Sequence, residues 1–465
     1  MKRSLSFGAS AIVIAACADT TPAPVIPAPV PAQSASTPAV AAMAPSDPAP
    51  VTEGDVTVAW THGMEILVKR TPGVEFVAAQ LAIRGGTRNW TADNAGIAEI
   101  ALQVATSGGT HSLDKRAYSR KLASLGATIG GSAGNDSSNL FAKVPTASWD
   151  DLFPIFVDTF LAPALPASEF EIVKQRELSA RRHETEDGDG RLWLLARRAV
   201  FGGHPYANRP VGTVESLTPM KADALQPHMA KLRDTNRLVL VVVGDVDPSH
   251  VIDQAKAAFA SVNRGAYVET PLPQLHFTGS HVSGDPFKLP TNYIEAMFAG
   301  PSWSDPDFAA MRVGMGVLGQ RMFDEVRTKR NLSYSPSAYF SYGLSAPFGV
   351  LYVTAVDPNT TMKVMFDEAH RLQTELIPAK ELDGTKAVFV SSLFQGHETA
   401  DGQAAELSEA ILLGGDWHRA NTFADQVRAT TPEDIRRVAA KWIANTQTAI
   451  VGDPTKLDPK VVGVP

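Results

Sequence analysis

Two short stretches of this 465-residue sequence hold residue types suited to chemistry. The first, NAGIAEIALQVATSGGT at 94–110, is a helical pattern set between glycine turns. Glu99, Gln103 and Thr106 fall at i, i+4 and i+7 and share one helix face. Ile97, Ile100, Ala101, Val104 and Ala105 make the rest of the circumference apolar, so the helix reads as buried. The polar stripe either lines an inner chamber or edges a core helix. It offers a single carboxylate and no histidine, which is too few ligands for a catalytic metal. The second stretch, RTKRNLSY at 327–334, sets a permanent cation, Arg327, seven residues before a phenol, Tyr334. Donors of this kind suit negative charge that develops on an oxygen atom. By spacing alone, Arg327 is equally one of three basic residues at a helix end and Tyr334 an ordinary strand aromatic. His183-Glu184 and His397-Glu398 each close a long helix before an Asp-Gly turn. Their repetition points to helix-end structure rather than to a metal site, and His204 before Pro205-Tyr206 reads as loop packing.

The elements that must position these residues occur twice. LPASEF at 165–170 returns as IPAKEL at 377–382, and HETEDG at 183–188 as HETADG at 397–402. Thr218-Pro219, opening a helical pattern, returns as Thr431-Pro432, and VVVGD at 241–245 as AIVGD at 449–453. Four markers in one order at offsets of 208 to 214 residues indicate a duplicated domain. The copies span about 53–262 and 285–465, with a Pro- and Gly-bearing linker at 263–284. In the first copy, DVTVAWTHGMEILVKR and EFVAAQLAIRGG alternate and turn like antiparallel strands, with His62-Gly63 between two of them. Helical patterns follow at 96–107, 115–124, 149–160, 167–184 and 219–232, SNLFAKVP reads as a strand, and RLVLVVVGDV closes the copy as a buried strand before a helix from Pro248. The second copy gives strands near 291–299, 333–341, 347–355 and 447–451, and helices near 307–329, 359–375, 379–396 and 431–443. Strands bunched apart from helices predict an α+β fold of two homologous domains, each an antiparallel sheet with helices on one face.

Residues 1–17, MKRSLSFGASAIVIAAC, have the basic start, short apolar run and small-residue stop of a secretory signal. Ile14-Ala15-Ala16-Cys17 matches a bacterial lipobox, and Cys17 is the single cysteine of the chain. This predicts lipidation at Cys17 and leaves no intramolecular disulfide. Ala18 after the cysteine favours the outer membrane over retention at the inner one. Residues 18–52, rich in Pro, Ala, Ser and Thr, read as an extended tether. The net charge of −7 and the lack of basic runs argue against a nucleic-acid partner. The expected setting is a lipid-anchored periplasmic protein.

HGMEILVKR, IRGGTRNWTADNAGIAEI…TSGGT, HPYANRPVGTVESL at 204–217 and FDEVRTKRNLSYS at 323–335 together resemble the pitrilysin/insulinase (M16) superfamily of zinc peptidases, in the group of the processing peptidases. The resemblance runs from about residue 55 to 453 and implies that family's duplicated fold. The family's catalytic signature is His-x-x-Glu-His on the helix after the first glycine-flanked turn, with a distant Glu as third zinc ligand. In register, Glu99 stands for the first histidine, Leu102 for the catalytic base, Gln103 for the second histidine and Glu177 for the distant ligand. Leucine cannot accept a proton and Gln is a poor zinc ligand, so the motif is degenerate; no His-x-x-Glu-His occurs in the chain. Arg327 and Tyr334 match the family's Arg and Tyr that bind substrate carbonyl oxygen. Loss of the ligands with retention of that pair resembles the non-catalytic chain of two-chain members. The resemblance therefore implies a subunit inactive alone, with no cofactor of its own. It would act in trans on an extended peptide held at the zinc of a paralogous partner that carries His-x-x-Glu-His, the peptide adding as a strand to a sheet edge. The competing expectation is a non-enzymatic scaffold or peptide-binding lipoprotein on a relic peptidase fold.

Overall fold

A computed structural model describes residues 47–463 of the chain. The expected signal segment, Cys17 and the tether as far as residue 46 lie outside the described residues. The N-terminal half has strands β1 Val51–Glu53, β2 Val56–Thr61, β3 Met64–Arg70, β4 Phe76–Arg84, β5 Thr128–Ala133, β6 Ser137–Pro145 and β7 Leu238–Gly244. Its helices are α1 Ile97–Gly108, α2 Lys115–Leu125, α3 Trp149–Leu161, α4 Ala167–His183, α5 Gly188–Phe201, α6 Val214–Leu217, α7 Leu225–Leu232 and α8 Pro248–Ala258. The C-terminal half has β8 His281–Pro286, β9 Asn292–Ala299, β10 Ser337–Ser341, β11 Phe348–Ala355 and β12 Gln447–Gly452. Its helices are α9 Phe308–Met322, α10 Pro358–Thr374, α11 Ala379–Gly396, α12 Ala400–Gly414, α13 His418–Ala429 and α14 Pro432–Trp442.

Two sheets carry the duplication. One has the order β1-β2-β3-β7-β4-β6-β5 and the other β10-β11-β9-β12-β8. Read from the opposite edge, the second is β8-β12-β9-β11-β10, the same order as β3-β7-β4-β6-β5 without the leading hairpin. The fold is α+β as expected, with one refinement: β3 with β7 and β8 with β12 are parallel, and the other pairs are antiparallel. Each closing strand is inserted beside the first strand of its copy, so both members run the same way.

The closing strand also shows why the sheets are buried on both faces. In β7, Leu238, Leu240 and Val242 pack with α1, α3 and α7, while Val239, Val241 and Val243 face the other way. All seven residues of β7 are buried, as a two-faced strand requires. The second face is covered by α12, a helix of the opposite half, through Ala400, Ala404, Leu407, Ala410 and Ile411. Helix α5 returns the arrangement, placing Leu192, Ala196, Val200 and Phe201 against Met297, Phe348, Val350, Ala449 and Val451 of the C-terminal sheet. Within its own half each sheet has helices on one face, and the halves exchange a helix to close the other.

Several sequence expectations need correction. The tether ends early: Val51 and Thr52 lie in β1, paired with β2, and Asp47 accepts hydrogen bonds from His62 N at 2.6 Å and Gly63 N at 3.1 Å. The tight His62-Gly63 turn has φ of 48° and 89° and presents its amides to that carboxylate. The linker is also shorter than 263–284, because β8 begins at His281 to complete the C-terminal sheet. The pattern from 219 becomes helical only at Leu225, since Thr218 already terminates α6. The HETEDG and HETADG markers are not structural equivalents. Asp187 caps α5 through Gly190 N and Thr399 caps α12 through Gly402 N, a register two residues away from the sequence match. At Gly190 and Gly402 a Cβ would meet the carbonyl of Glu184 or Gly396 at 2.2 or 2.1 Å, so both turns exclude side chains. His183 and His397 therefore do not occupy matching places.

Candidate functional site

Helix α1 has the predicted character, with Ile100, Ala101, Leu102, Val104 and Ala105 fully buried. Leu102, at the catalytic-base position, packs into the core, and Gly131 of β5 lies close against it. Glu99 is buried and accepts a hydrogen bond from Ala133 N at 2.6 Å. It also accepts one from the Gln103 amide, whose oxygen in turn accepts from Arg176 of α4. Arg176 Nε lies 3.6 Å from Glu177, the position expected for the distant ligand. The four residues form one chain, Glu99–Gln103–Arg176–Glu177. Burial raises the Glu99 pKa above the usual carboxylate range; the Ala133 and Gln103 hydrogen bonds lower it in part, and the Glu177 charge adds to the rise.

This donor set does not fit zinc. No group of three or more His, Cys, Asp or Glu side chains able to hold a metal occurs among the described residues. The Arg176 guanidinium, bonded to Gln103 and 3.6 Å from Glu177, adds a positive charge that opposes a second cation there. Along the polar stripe, Glu99 and Gln103 are bonded to each other and to Ala133 and Arg176, and Thr106 Oγ1 donates to Leu102 O at 3.0 Å.

The second stretch is also organised, though differently from the expected helix-then-strand. Past Met322, α9 widens into a π-type segment, Phe323–Thr328. The chain then reverses through Asn331, with φ 51°, where Asn331 N donates to Arg327 O at 3.0 Å and Leu332 N to Val326 O at 2.9 Å. Tyr334 therefore sits in a loop three residues before β10. The Arg327 guanidinium lies 4.0 Å from the Tyr334 ring centroid and 4.9 Å from that of Phe323, in cation–π contact with both. Glu325 holds both Lys329 and Arg330, so the other two basic residues of the turn share one carboxylate. Arg327 takes no carboxylate among the described residues, and Tyr334 is 74 % exposed. No hydrogen bond or ion pair joins them to Glu99, Gln103 or Glu177, so the structure gathers two separate groups.

The histidines singled out in the sequence make local hydrogen bonds. His183 pairs with Glu186 at 2.6 Å, and His397 with Glu406. Glu184 binds Arg209 instead, at 2.9 Å through both oxygens. His204 Nε2 donates to Pro273 O at 2.9 Å while its Nδ1 accepts from Tyr206 N at 3.1 Å. Sequence reasoning missed the node that this loop serves. The Asp136 carboxylate accepts from Tyr206 Oη at 2.5 Å, Arg88 Nη2 at 2.6 Å and, across the halves, Ser345 N at 3.0 Å. Tyr206 is fully buried, and burial together with the Asp136 charge drives its phenol strongly upward in pKa. Only the HPY spelling of the loop signalled it; Asp136 stands in no motif. Nearby, a 300 Å³ cavity between the halves is lined by Trp193, Arg197, Glu295 and Tyr339. Glu295 is 7 % exposed, and burial, helped by Asp189, pushes it up to about 7.

Comparison with known proteins agrees with this fold. The family model described as "Insulinase (Peptidase family M16)" matches residues 65–200, and "Peptidase M16 inactive domain" matches residues 219–389. An "Uncharacterized zinc protease" of Rickettsia bellii is 20 % identical over 405 residues, covering 85 % of this chain and 97 % of its own. A "Non-peptidase homolog" of Helicobacter pylori is 22 % identical over 366 residues, covering 76 % of this chain and 83 % of its own. The crystal structure of a peptidase M16 inactive domain from Pseudomonas fluorescens superposes with a TM-score of 0.78 at 20 % identity, covering 85 % of this chain and 97 % of that one.

Proposed function

The chain belongs to the M16 peptidase family, and from that footing we propose that it is the zinc-free subunit of a heteromeric M16 peptidase in the periplasm, tethered through Cys17. The observation that carries the reading is the contrast between the two groups. Glu99 and Gln103 are already bonded, to each other and to Arg176, whereas Tyr334 is exposed, Arg327 is half-buried against its ring, and neither has a hydrogen-bond acceptor among the described residues. The Arg327 guanidinium lies 4.0 Å from the Tyr334 ring centroid, so cation and phenol sit side by side, and in this reading both turn to one substrate oxygen. In this reading an extended peptide lies at the zinc site of a paralogous partner carrying His-x-x-Glu-His. Arg327 and Tyr334 donate hydrogen bonds to the carbonyl oxygen of the bond to be cut. Stacking limits the freedom of Arg327 and so reduces the ordering cost of meeting substrate. Donors that face a developing oxyanion contribute about 3–4 kcal/mol each. In the name "Non-peptidase homolog" the H. pylori relative lends support to a chain that is inactive alone.

The test is co-purification from the native cells, followed by assay of each chain alone and mixed on a quenched fluorescent peptide. The expected result is a second M16 chain containing His-x-x-Glu-His, with hydrolysis only in the mixture. Equal activity of that chain alone, or its absence from the complex, refutes the proposal and leaves the scaffold reading.

A further inference from the structure

The end of α4, helix α5 and the loop that follows it enclose a cavity of 410 Å³. Four guanidinium groups line it, those of Arg181, Arg197, Arg198 and Arg209, against two carboxylates, Glu184 and Glu215. Both carboxylates are already committed. Glu184 accepts from Arg209 at 2.9 Å and ion-pairs with Arg181 Nε at 2.9 Å. Glu215, at the start of α6, is held below the usual carboxylate range by its own backbone N–H and the Thr213 hydroxyl.

Donors are left over. Arg181 Nη1 and Arg209 Nε are buried without a hydrogen-bond partner, and Arg209 as a whole is 8 % exposed. Arg197 and Arg209 both stack on the Trp193 ring, 4.6 and 4.7 Å from its centroid. Burial first, and then the Arg209 charge, brings Arg197 down to about 10. Arg197 spends one N–H on Tyr206 O at 2.6 Å. Buried guanidinium donors without acceptors are costly, and like charges crowded on an aromatic wall add to the cost. The fork of N–H groups on each arginine matches the paired oxygens of a carboxylate or phosphate. The volume lies within the range of small-molecule sites, about 300–1,000 Å³.

We propose that this cavity is an oxyanion-binding site that takes the carboxylate or phosphate group of a small organic molecule. It involves neither Arg327 nor Tyr334 and stands whether or not the subunit reading holds.

The experiment titrates the purified full chain with inorganic phosphate and with succinate, each against sodium chloride of equal ionic strength, by thermal unfolding and calorimetry. The expected result is saturable binding of at least one probe, and which of the two binds identifies the group. Arg181→Gln should weaken that binding about tenfold, the worth of one charge-assisted donor. Ala207→Trp, which fills the cavity mouth and spares every guanidinium, should weaken it at least as much. A response no greater than that to chloride, or binding unchanged in both variants, overturns the site.

Discussion

Replacing Asp136 with alanine should uncouple the two halves. Its carboxylate is 8 % exposed and accepts from Arg88, Tyr206 and the Ser345 amide of the opposite half. Alanine removes all three acceptor contacts and leaves a guanidinium whose side chain is 6 % exposed, which then keeps Glu269 at 3.1 Å, Thr270 O at 2.9 Å and Ser345 Oγ at 3.3 Å. Breaking a buried ion pair from one side typically costs about 3–5 kcal/mol. Tyr206→Phe is the informative control. It removes one donor to Asp136, and the Oη that accepts from the Ser345 and Ala346 amides at 3.1 and 3.3 Å, but leaves Asp136 paired with Arg88 and Ser345, so the cost should be only about 1–3 kcal/mol. The assay is urea unfolding followed by tryptophan fluorescence, with proteolysis across residues 260–280 as a second readout. The parent should unfold in one transition, because α5 and α12 bind each half to the other's sheet. Asp136→Ala should separate the halves into two transitions and expose the connecting segment to cleavage. A loss under about 1 kcal/mol with a single unchanged transition would refute the view that this node couples the halves.

Leu407→Ala, deleting a buried side chain of the exchanged helix α12, should cost about 2–5 kcal/mol by chemical denaturation. Folded Glu295 keeps its proton to about 7 whereas the unfolded chain ionises near 4.5, so its contribution to stability is full below 4.5 and is lost as pH rises to about 7. Glu295→Gln should therefore unfold at the parent's denaturant concentration near pH 4 and be more stable at pH 8 by about 3 kcal/mol at most, read from urea midpoints. Restoring the family motif by Glu99→His, Leu102→Glu and Gln103→His should not yield tightly held zinc while Arg176 remains. Adding Arg176→Ala should raise zinc affinity by about tenfold or more, measured by metal content after dialysis, because one unit of opposing charge leaves the groove.

The duplicated α+β plan was legible because its strands and many helices carry strong periodic patterns, and β7 and β12 announce themselves as apolar runs before Gly-Asp. The exchanged helices were not. Helix α5 opens with Gly188-Asp189-Gly190, which spells a turn, and the apolar face of α12 is meant for a sheet more than 150 residues earlier in the chain. Local pattern cannot reveal a partner so distant. The degenerate zinc positions were legible by register with the family motif, but their replacement by a guanidinium was not. Arg176 lies on another helix, and on α4 it looks like any solvated arginine. Arg327 illustrates the opposite case. Three basic residues in one turn look alike in sequence, and only the Glu325 contacts show which two are ion-paired.

The central claim, that this chain contributes donors and not a metal, is tested most directly by kcat/KM for the two-chain mixture carrying Arg327→Ala or Tyr334→Phe. A fall of about 10²–10³-fold in either variant, expressed mainly in kcat and with assembly intact, is the predicted result. Unaltered kcat/KM with both side chains replaced would contradict it.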